Sequence, residues 1–476
     1  MKTFVGFLIG IFLMVFGITS VKGQDVYITI PESNIFNRAE FIATDTKVMY
    51  TNRTNWDYPY SIFGGPIDPT FTSTSNTFNH TTSSFNLPNS ILQWQLDTMG
   101  GRRPGTGLQG NLPGFQLFKN TSTRWFDPPN SIFGGGFNSG YINFTFKIPS
   151  DQFATNKFHA GNYSMSISQN YYNFSPRTFQ TIITIPATIT WLASMPTKFI
   201  EISSLNDYRS ASGQIISDLG NTEFGNTVDF NVWAKASSAN IQFVSAKGVS
   251  GTRNITNIKL GSAGSELTTK PLTSNSEQFS PTAFGVKTGN RNNFISQLSI
   301  SAADLKSNFF QAGTYTFQLN FDAKSTDNSI SRLQNTDVTL KVLPLSEITM
   351  PNTGQTVNFN FNTSSQYANG QSQVVQKQIK LSNNESFELY VKSDENYFKK
   401  GGVQTNINSS ILQIGIDGNT LTPLSTTAKK IITGGNPVLD QELDIKYNIP
   451  PAGAQTLVGY DKATYTINVI YSFIAL

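Results

Sequence analysis

Two segments of the chain place a tryptophan next to a carboxylate, an arrangement that suits the binding of sugar. Residues 56–65 read Trp-Asp-Tyr-Pro-Tyr-Ser-Ile-Phe-Gly-Gly, and residues 125–135 repeat the pattern with one residue inserted. A flat ring can stack on the apolar face of a sugar while the acid accepts hydrogen bonds from its hydroxyl groups. The alternative is that both segments are equivalent turns whose aromatic side chains fill a core. The candidate binding residues are Trp56, Asp57, Tyr58, Tyr60, Trp125, Phe126 and Asp127.

Catalytic side chains are scarce in this sequence. The chain has two histidines and no cysteine, so thiol catalysis and zinc–thiolate sites are excluded. His159 lies in a repeated strand motif in which the corresponding residues are Gln311 and Asp461. A Ser-His-Asp triad could use only His80, and no Gly-x-Ser-x-Gly turn accompanies it. We therefore predict a non-catalytic protein without a cofactor.

Two further motifs have simple structural interpretations. Gly105-Thr-Gly-Leu-Gln-Gly110 matches the dinucleotide-binding pattern, but no helical pattern follows, so a loop is predicted. Asp440, Glu442 and Asp444 alternate along one predicted strand, and three carboxylates on one face could bind calcium. A solvated outer face explains the same alternation, and no metal site is predicted.

The charge content argues against nucleic acid as a partner. Charged residues make up 13% of the chain, against about 25% in a typical soluble protein. The 34 basic and 30 acidic residues nearly balance, so the sequence has no basic footprint of the kind that phosphate binding requires. Polarity comes instead from Asn, Ser, Thr and Gln.

A sequence repeat with a period of about 150 residues indicates which structural elements would position these residues. Phe158-His-Ala-Gly-Asn-Tyr163 returns as Phe310-Gln-Ala-Gly-Thr-Tyr315, and more faintly as residues 460–465 around Tyr465. A second marker, residues 230–236, matches residues 387–393. Residues 91–94, which end in Trp94, are a thinner candidate for its counterpart in the first copy. Such self-similarity indicates one structural unit used three times.

Each copy has the sequence pattern of antiparallel strands. Apolar and polar residues alternate strictly in segments 228–232, 315–321 and 357–361, which places apolar side chains on one face of a half-buried sheet. Clusters of Gly, Asn and Asp separate these segments, and residues 302–305 form a helical turn at most. The predicted fold class is all-β, with tandem antiparallel β-sandwich domains of the immunoglobulin-like or pilin-like type.

Four segments of the chain are distinguished. Residues 1–23 are predicted to be a secretory signal, because Lys2 precedes an apolar stretch at residues 4–18 that is shorter than the roughly 20 residues of a spanning helix. The alternative is a retained membrane anchor, and no later segment is predicted to span a membrane. Three β-sandwich domains follow, here called the first unit (24–188, enlarged and rich in aromatic residues), the second unit (189–345) and the third unit (346–476).

The strand motif Ala312-Gly-Thr-Tyr-Thr-Phe-Gln-Leu319 resembles the Ala-Gly-x-Tyr strand of bacterial chaperone–usher pilins, most closely in the spore-coat-U-like branch. Residues 465–471 lie at the C-terminus, where such subunits also end. The resemblance covers about a dozen residues in each unit, and the disulfide of many pilins is missing because the chain has no cysteine. Three units with an enlarged first one are more similar to a tip adhesin than to a shaft subunit.

These features favour an exported, non-catalytic bacterial surface protein that serves attachment or pilus-type assembly. The alternative is a glycan-binding protein of a polysaccharide uptake system, whose usual forms carry a lipid on a cysteine that this chain lacks. The expected location is the cell surface or the extracellular space, with the periplasm as the alternative. A surface glycan is one expected partner.

Other protein subunits are the second expected partner, by strand addition at the C-terminal domain. After Tyr163 and Tyr315 the chain forms a further strand, at residues 179–185 and 338–342, whereas the residues after Tyr465 continue the same strand. The third unit is therefore expected to be one strand short, with an edge that an extended segment of another chain can complete. In the alternative, the extra strand belongs to the start of the next unit and nothing is missing.

Overall fold

The computed structural model describes residues 25–51, 60–61, 65–66, 70–99, 114–124, 140–170, 177–193, 195–212, 214–351 and 356–476. The predicted signal at residues 1–23 and the loop at residues 105–110 lie outside these ranges. In the part that is described, no helix has the length and apolar character needed to cross a membrane.

The first unit contains thirteen described strands and two short helices. They are β1 (Val26–Thr29), α1 (Glu32–Asn37), β2 (Phe41–Thr51), β3 (Tyr60–Ser61), β4 (Gly65–Pro66), β5 (Thr70–Ser73), β6 (Thr77–His80), β7 (Asn86–Pro88), β8 (Gln93–Met99), β9 (Gln116–Leu117), β10 (Thr123–Arg124), β11 (Gly140–Ile148), α2 (Ser150–Thr155), β12 (Gly161–Gln169) and β13 (Thr178–Ile185).

The second unit has a similar succession of elements, with one additional strand at its start and without described counterparts of β3 and β4. They are β14 (Ile189–Trp191), β15 (Lys198–Ile202), α3 (Leu205–Arg209), β16 (Gln214–Asn226), β17 (Phe230–Ala236), β18 (Asn240–Ser245), β19 (Ser250–Asn254), β20 (Ile258–Ser262), β21 (Lys270–Pro271), β22 (Glu277–Gln278), β23 (Arg291–Ile300), α4 (Ala302–Asn308), β24 (Gly313–Ser325) and β25 (Ser331–Val342).

The third unit has no described counterpart of β13 and β25. Its elements are β26 (Ser346–Thr349), α5 (Ser364–Asn369), β27 (Gln371–Asn383), β28 (Phe387–Ser393), β29 (Tyr397–Lys400), β30 (Val403–Asn408), β31 (Gln413–Ile416), β32 (Thr422–Pro423), β33 (Lys429–Gly435), β34 (Val438–Ile449), α6 (Pro451–Gln455), β35 (Tyr465–Thr466) and β36 (Val469–Ala475). Single turns of 3-10 helix lie at Asn89–Ile91, Ile255–Asn257, Thr288–Asn290 and Ser409–Ile411.

The sheet topology of the first unit recurs in the second. One sheet of the first unit has strand order β1-β13-β12-β5-β10 with β6 and β7 beside it, and the other has order β2-β11-β8-β9. The second unit has β15-β25-β24-β17-β22 with β18 and β19, and β14-β16-β23-β20-β21. All pairs are antiparallel except β1 with β13 and β15 with β25. The predicted fold class of tandem antiparallel β-sandwiches is confirmed.

Three clusters of buried apolar side chains accompany these sheets. One spans Val26 to Ile185, the next Ile189 to Val342, and the third Ile379 to Ala454. Each lies within one of the three predicted units, although the exact boundaries stay a prediction. In the third cluster the partly buried members outnumber the fully buried ones, whereas the reverse holds in the other two.

The repeated tyrosine makes the same hydrogen bond in all three units. The hydroxyl of Tyr163 donates to the carbonyl oxygen of His159 at 3.1 Å, and that of Tyr315 donates to Gln311 at 2.8 Å. The hydroxyl of Tyr465 donates in the same way to Asp461 at 3.0 Å. In each case the acceptor lies four residues earlier, so the prediction of equivalent strand positions is confirmed.

The burial predicted for these tyrosines is correct for two of them and wrong for the third. Tyr163 and Tyr315 are buried because β13 and β25 lie beside their strands, with Ile183 and Leu340 directly opposite. Tyr465 is half-buried because no described strand occupies the corresponding position. The glycine before the buried tyrosines is also explained: Gly313 has φ +150°, and a Cβ there would lie 2.3 Å from the carbonyl oxygen of Val244.

The difference in burial predicts a difference in stability. Replacing Tyr315 with Phe removes the hydroxyl and leaves the partly buried carbonyl of Gln311 without its donor, so the free energy of unfolding should fall by about 1–2 kcal/mol. The same change at Tyr465 should cost less than half as much, because water can replace the lost donor there. Urea unfolding of the two variants checks this. Equal costs would contradict the assignment of the third unit as the open one.

Two expectations about strands are wrong, each for a topological reason. Trp94 is not the counterpart of the marker at residues 230–236, because β8 pairs with β11. In contrast, β17 pairs with β24, which carries Tyr315, and β28 pairs with β36, which follows Tyr465. Segment 357–361 alternates as a strand should, but it is not paired as one. The helical turn expected near residue 302 is longer, because Ser301 caps the seven-residue helix α4.

The same hydrogen-bond arrangement joins successive units at both junctions. The hydroxyl of Thr227 donates to Pro186 O at 2.7 Å and accepts from Thr188 N–H at 2.9 Å. The side chain of Asn384 makes the corresponding bonds, donating to Leu343 O at 2.8 Å and accepting from Leu345 N–H at 2.7 Å. The junctions between units are therefore part of the repeat.

The first junction contains an additional buried residue. The side-chain oxygen of Asn290 accepts from Phe158 N–H at 3.0 Å, and its amide nitrogen donates to Phe158 O and Asn226 O, each at 2.8 Å. At the second junction Arg209 is the main polar link, with Nη2 of its guanidinium 2.8 Å from Asp440 and 2.5 Å from Glu347. Asn290 at the first junction is thus buried and neutral, whereas the Arg209 link at the second junction is charged and partly exposed.

Candidate functional site

The candidate sugar-binding residues lie almost entirely outside the described residues. Trp56, Asp57, Tyr58, Trp125, Phe126 and Asp127 fall in the ranges 52–59 and 125–139, which are not described. Tyr60 belongs to β3, which pairs with β4 in a small separate sheet. The prediction of a binding surface on these residues therefore stays a prediction.

A free strand edge in the third unit is the clearest candidate for a functional site. β36 pairs with β28 along its whole length, and no other strand pairs with it in the described part of the chain. The equivalent strands β12 and β24 have a second antiparallel neighbour, β13 and β25 respectively. The backbone N–H and C=O groups on one side of β36 are therefore available to another strand.

Segment 357–361, with sequence Val-Asn-Phe-Asn-Phe, corresponds in the order of elements to β1 and β15 of the first two units. It precedes α5 as β1 precedes α1 and β15 precedes α3. β1 and β15 pair in parallel with β13 and β25, the strand that has no described counterpart in the third unit. Val357, Phe359 and Phe361 pack only partly against the third cluster. The segment has the pattern of a strand and lacks the neighbour that would pair with it.

Side chains of β26, β27 and β36 form an open apolar groove beside the free edge. Part of it is a pocket of about 180 Å³ lined by Ile348, Thr349, Met350, Ile379, Val469 and Tyr471. Val469 and Tyr471 are half-buried, whereas the equivalent Leu319 and Phe321 of the second unit are fully buried. The groove therefore exposes side chains that belong to a core when the additional strand is present.

A buried polar group fixes the floor of the groove. The hydroxyl of Tyr447 donates to Gln378 Oε1 at 3.0 Å, and the two tyrosine hydroxyls of Tyr447 and Tyr471 lie 2.8 Å apart. Because the single proton of Tyr447 goes to Gln378, Tyr471 donates to Tyr447. Burial raises the pKa of both tyrosines, so they stay protonated at neutral pH.

The charged candidates are engaged in structural contacts. Asp440 pairs with Arg209 and Lys380, and hydrogen bonding to Arg209 lowers its pKa. Glu442 pairs with Lys377 at 2.7 Å, and Asp444 accepts from Lys377 N–H at 2.7 Å. Within the described ranges, no group of three His, Asp or Glu side chains is arranged to hold a metal ion.

The two histidines lie close together at the start of the tyrosine strand of the first unit. His80 Nε2 donates to Ala160 O at 2.9 Å and its Nδ1 accepts from Thr82 N–H at 3.2 Å, which is the arrangement of a neutral ring. His159 stacks on Phe85, and burial lowers the pKa of His159. Neither histidine has a serine or carboxylate partner in the described contacts that would form a triad.

Sequence reasoning identified the free edge but missed the residues of the groove. Ile348 lies in β26, Met350 follows it and Ile379 lies in β27, and the pairing of these strands is not visible in the sequence. Segment 357–361 offered a usable signal, because its equivalents β1 and β15 are edge strands that pair with β13 and β25. The third unit has no described counterpart of β13 and β25, so combining the two observations would have located the groove.

Comparisons with known proteins give matches among solved structures. No family model matches the chain, and no curated protein matches it. The adhesin CfaE of Escherichia coli is similar at a TM-score of 0.27 and 10% identity, over 69% of this chain and 99% of that chain. The CsuC–CsuE chaperone–tip subunit complex of Acinetobacter baumannii gives a TM-score of 0.26 and 13% identity, over 60% and 99%.

The similarity extends beyond pilus proteins. A fragment of human CDH23, EC21-23, matches 94% of this chain and 99% of its own length, with a TM-score of 0.23 and 8% identity. The resemblance to chaperone–usher pilus proteins that the Ala-Gly-x-Tyr strands predict is confirmed as a similarity to solved adhesins of that type.

Proposed function

We propose that the third unit accepts an extended β-strand from another protein subunit. The observation that carries the proposal is the unpaired edge of β36, which lies beside an open apolar groove in a unit whose segment 357–361 is also unpaired. Strand addition supplies main-chain hydrogen bonds for affinity and side-chain pockets for specificity. The added strand would thus complete a sandwich that is already complete in the first two units.

The second unit provides a template for the direction and register of the added strand. β25 runs antiparallel to β24, with Leu340 opposite Tyr315 and Thr336 opposite Leu319. It also runs parallel to β15 on its other side. A strand entering the third unit in the same way runs antiparallel to β36 and parallel to segment 357–361, and its alternate side chains cover Val469 and Tyr471.

On this basis we propose that the chain is an exported, non-catalytic surface protein that serves attachment or pilus-type assembly. The strand acceptor accounts for assembly with other subunits. Attachment is assigned to the first unit, where the candidate residues include Trp56 and Trp125. The balanced charge and the low content of charged residues suit contact with neutral or weakly charged surfaces rather than with nucleic acid.

Peptide binding to the full chain tests the strand acceptor. A fluorescein-labelled peptide with the sequence of residues 331–342 should bind with a saturable rise in fluorescence anisotropy. A matched peptide in which Val338 and Leu340 are Asp should not bind, because in the register of β25 on β24 those side chains face the core and would lie opposite Ile467 and Tyr465. Replacing Tyr471 with Asp should abolish binding, whereas Ile470→Asp, on the outer face of β36, should preserve it. Equal binding of both peptides would overturn the proposal.

A further inference from the structure

A cleft lies where the first unit meets the second, far along the chain from the strand-acceptor groove. Its volume is about 430 Å³, and its lining includes Phe85, Lys157 and His159 of the first unit and Thr288 of the second. Tyr60, the one described residue of the predicted sugar-binding set, is not among these lining residues. The cleft is a candidate ligand site in its own right.

The two walls of the cleft are held together by the first junction. Gly289 N–H donates to Asn156 O at 2.9 Å, and the side chain of Asn290 bonds to both the N–H and the carbonyl of Phe158. Thr288, Asn156 and Lys157 are direct chain neighbours of these bonded residues. Because the walls cannot shift freely, binding here would require little reorganisation of the protein.

An aromatic ring is presented in the cleft in a fixed position. The rings of Phe85 and His159 stack with centroids 3.6 Å apart and planes only 7° from parallel. His80 lies edge-on to Phe85, with 6.0 Å between ring centroids, and is itself held by Ala160 and Thr82. Phe85 nevertheless keeps 43% of its side chain exposed. A rigid, exposed ring of this kind is a platform for the apolar face of a sugar.

The remaining side chains of the cleft determine the charge of a ligand that fits. The rim is formed by hydroxyl and amide groups, from Ser84, Asn86, Thr155 and Asn156, which can bond to sugar hydroxyls. Among the described residues of the lining, Lys157 is the charged one, whereas the carboxylate of Asp229, whose charge acts on His159, is not a lining residue. An ammonium group at the lining favours an anionic ligand. We propose that this cleft binds a sugar residue that carries a carboxylate.

Matched pairs of simple glycosides test the proposal on the full chain. Methyl glucuronide and methyl galacturonide differ from methyl glucoside and methyl galactoside only in the carboxylate. The chain has two histidines, so labelling with ¹³C-histidine gives two imidazole signals. The acidic sugars should shift the His159 signal in a saturable way, and the neutral sugars should bind about ten-fold more weakly.

Variants assign the effect to the cleft. Phe85→Ala should weaken binding of the acidic sugars about ten-fold, and Lys157→Gln should remove the preference for acid over neutral sugar. Phe199→Ala is the matched control, because Phe199 is 57% exposed on β15 of the second unit and lies outside the cleft. Absence of any saturable shift, equal binding of acidic and neutral sugars, or full binding by Phe85→Ala would each overturn the proposal. None of these results depends on the strand acceptor.

Discussion

A chain extended after Leu476 by a copy of its own residues 327–342 is expected to unfold its third unit at a temperature about 10 °C higher. In the second unit these residues form the turn after β24 and the strand β25. Ser325, at the end of β24, corresponds to Ala475 when Tyr315 is aligned with Tyr465. The copied strand can therefore fold back on β36 in the register that β25 has on β24.

The size of the effect follows from the side chains that become covered. Each apolar side chain that passes from exposed to buried contributes about 1.5–3 kcal/mol, and the ordering of the added strand offsets much of the total. A net gain of about 3–5 kcal/mol corresponds to about 10 °C, since a unit of this size gains about 2–4 °C per kcal/mol. Differential scanning calorimetry of the full chain measures the shift.

The control extension carries Asp in place of Val338 and Leu340 in the copied strand. It has the same length and turn but would place two carboxylates in the apolar groove, so the third unit should unfold at its original temperature. Transitions of the first and second units should not move in either protein. An equal rise with both extensions, or no rise with the intact copy, would argue against an open acceptor groove.

Replacing Asn290 with Ala is expected to lower the free energy of unfolding of the joined first and second units by about 3–5 kcal/mol. The change leaves the N–H and carbonyl of Phe158 and the carbonyl of Asn226 without partners in a buried junction. Each unsatisfied buried group costs about 1–3 kcal/mol. Urea unfolding of the full chain measures the loss.

Asn328 offers a matched control for this substitution. Both asparagines have a left-handed backbone, with φ +53° at Asn290 and +60° at Asn328. Asn328 is exposed in the turn after β24, so Asn328→Ala introduces the same backbone strain without removing a buried bond. A loss for Asn290→Ala that equals the loss for Asn328→Ala would mean that the junction bonds contribute nothing to stability.

The parts of the fold that could be predicted from sequence are those that depend on local pattern. Alternation identifies strands, and the recurring tyrosine marks equivalent strands because the hydroxyl reaches a carbonyl only four residues away. Both signals are contained within a few residues. They were sufficient to predict the fold class, and they raised the expectation that the third unit is one strand short.

Pairing partners could not be predicted in the same way. Segment 357–361 alternates as well as any strand in the chain, yet whether it pairs depends on a neighbour from elsewhere. Trp94 resembled a marker in the other units, but strand order places it in the opposite sheet, where it packs against Phe71 and Phe144. The alternation of apolar and polar residues indicates which face of a strand is buried, but it does not indicate which strand lies next to it.

The junctions were missed because they join residues that are distant in the chain. Asn290 forms hydrogen bonds with Phe158, and no sequence feature near either residue indicates that the two are in contact. A weaker signal exists for the repeated bonds, since Thr227 and Asn384 each lie three residues before the phenylalanine that opens the second marker. Comparison of the copies with one another would have singled out both positions.

Hydrogen exchange at the backbone amides of β36, with β24 as the comparison within the same chain, tests the central claim most directly. The amides of β24 should be protected on both sides, because β25 and β17 pair with it. We predict that the amides of β36 directed away from β28 exchange rapidly in the chain alone. On addition of the peptide of residues 331–342 they should slow by at least about ten-fold. Protection of β36 equal to that of β24 before any strand is added would show a closed edge and contradict the account.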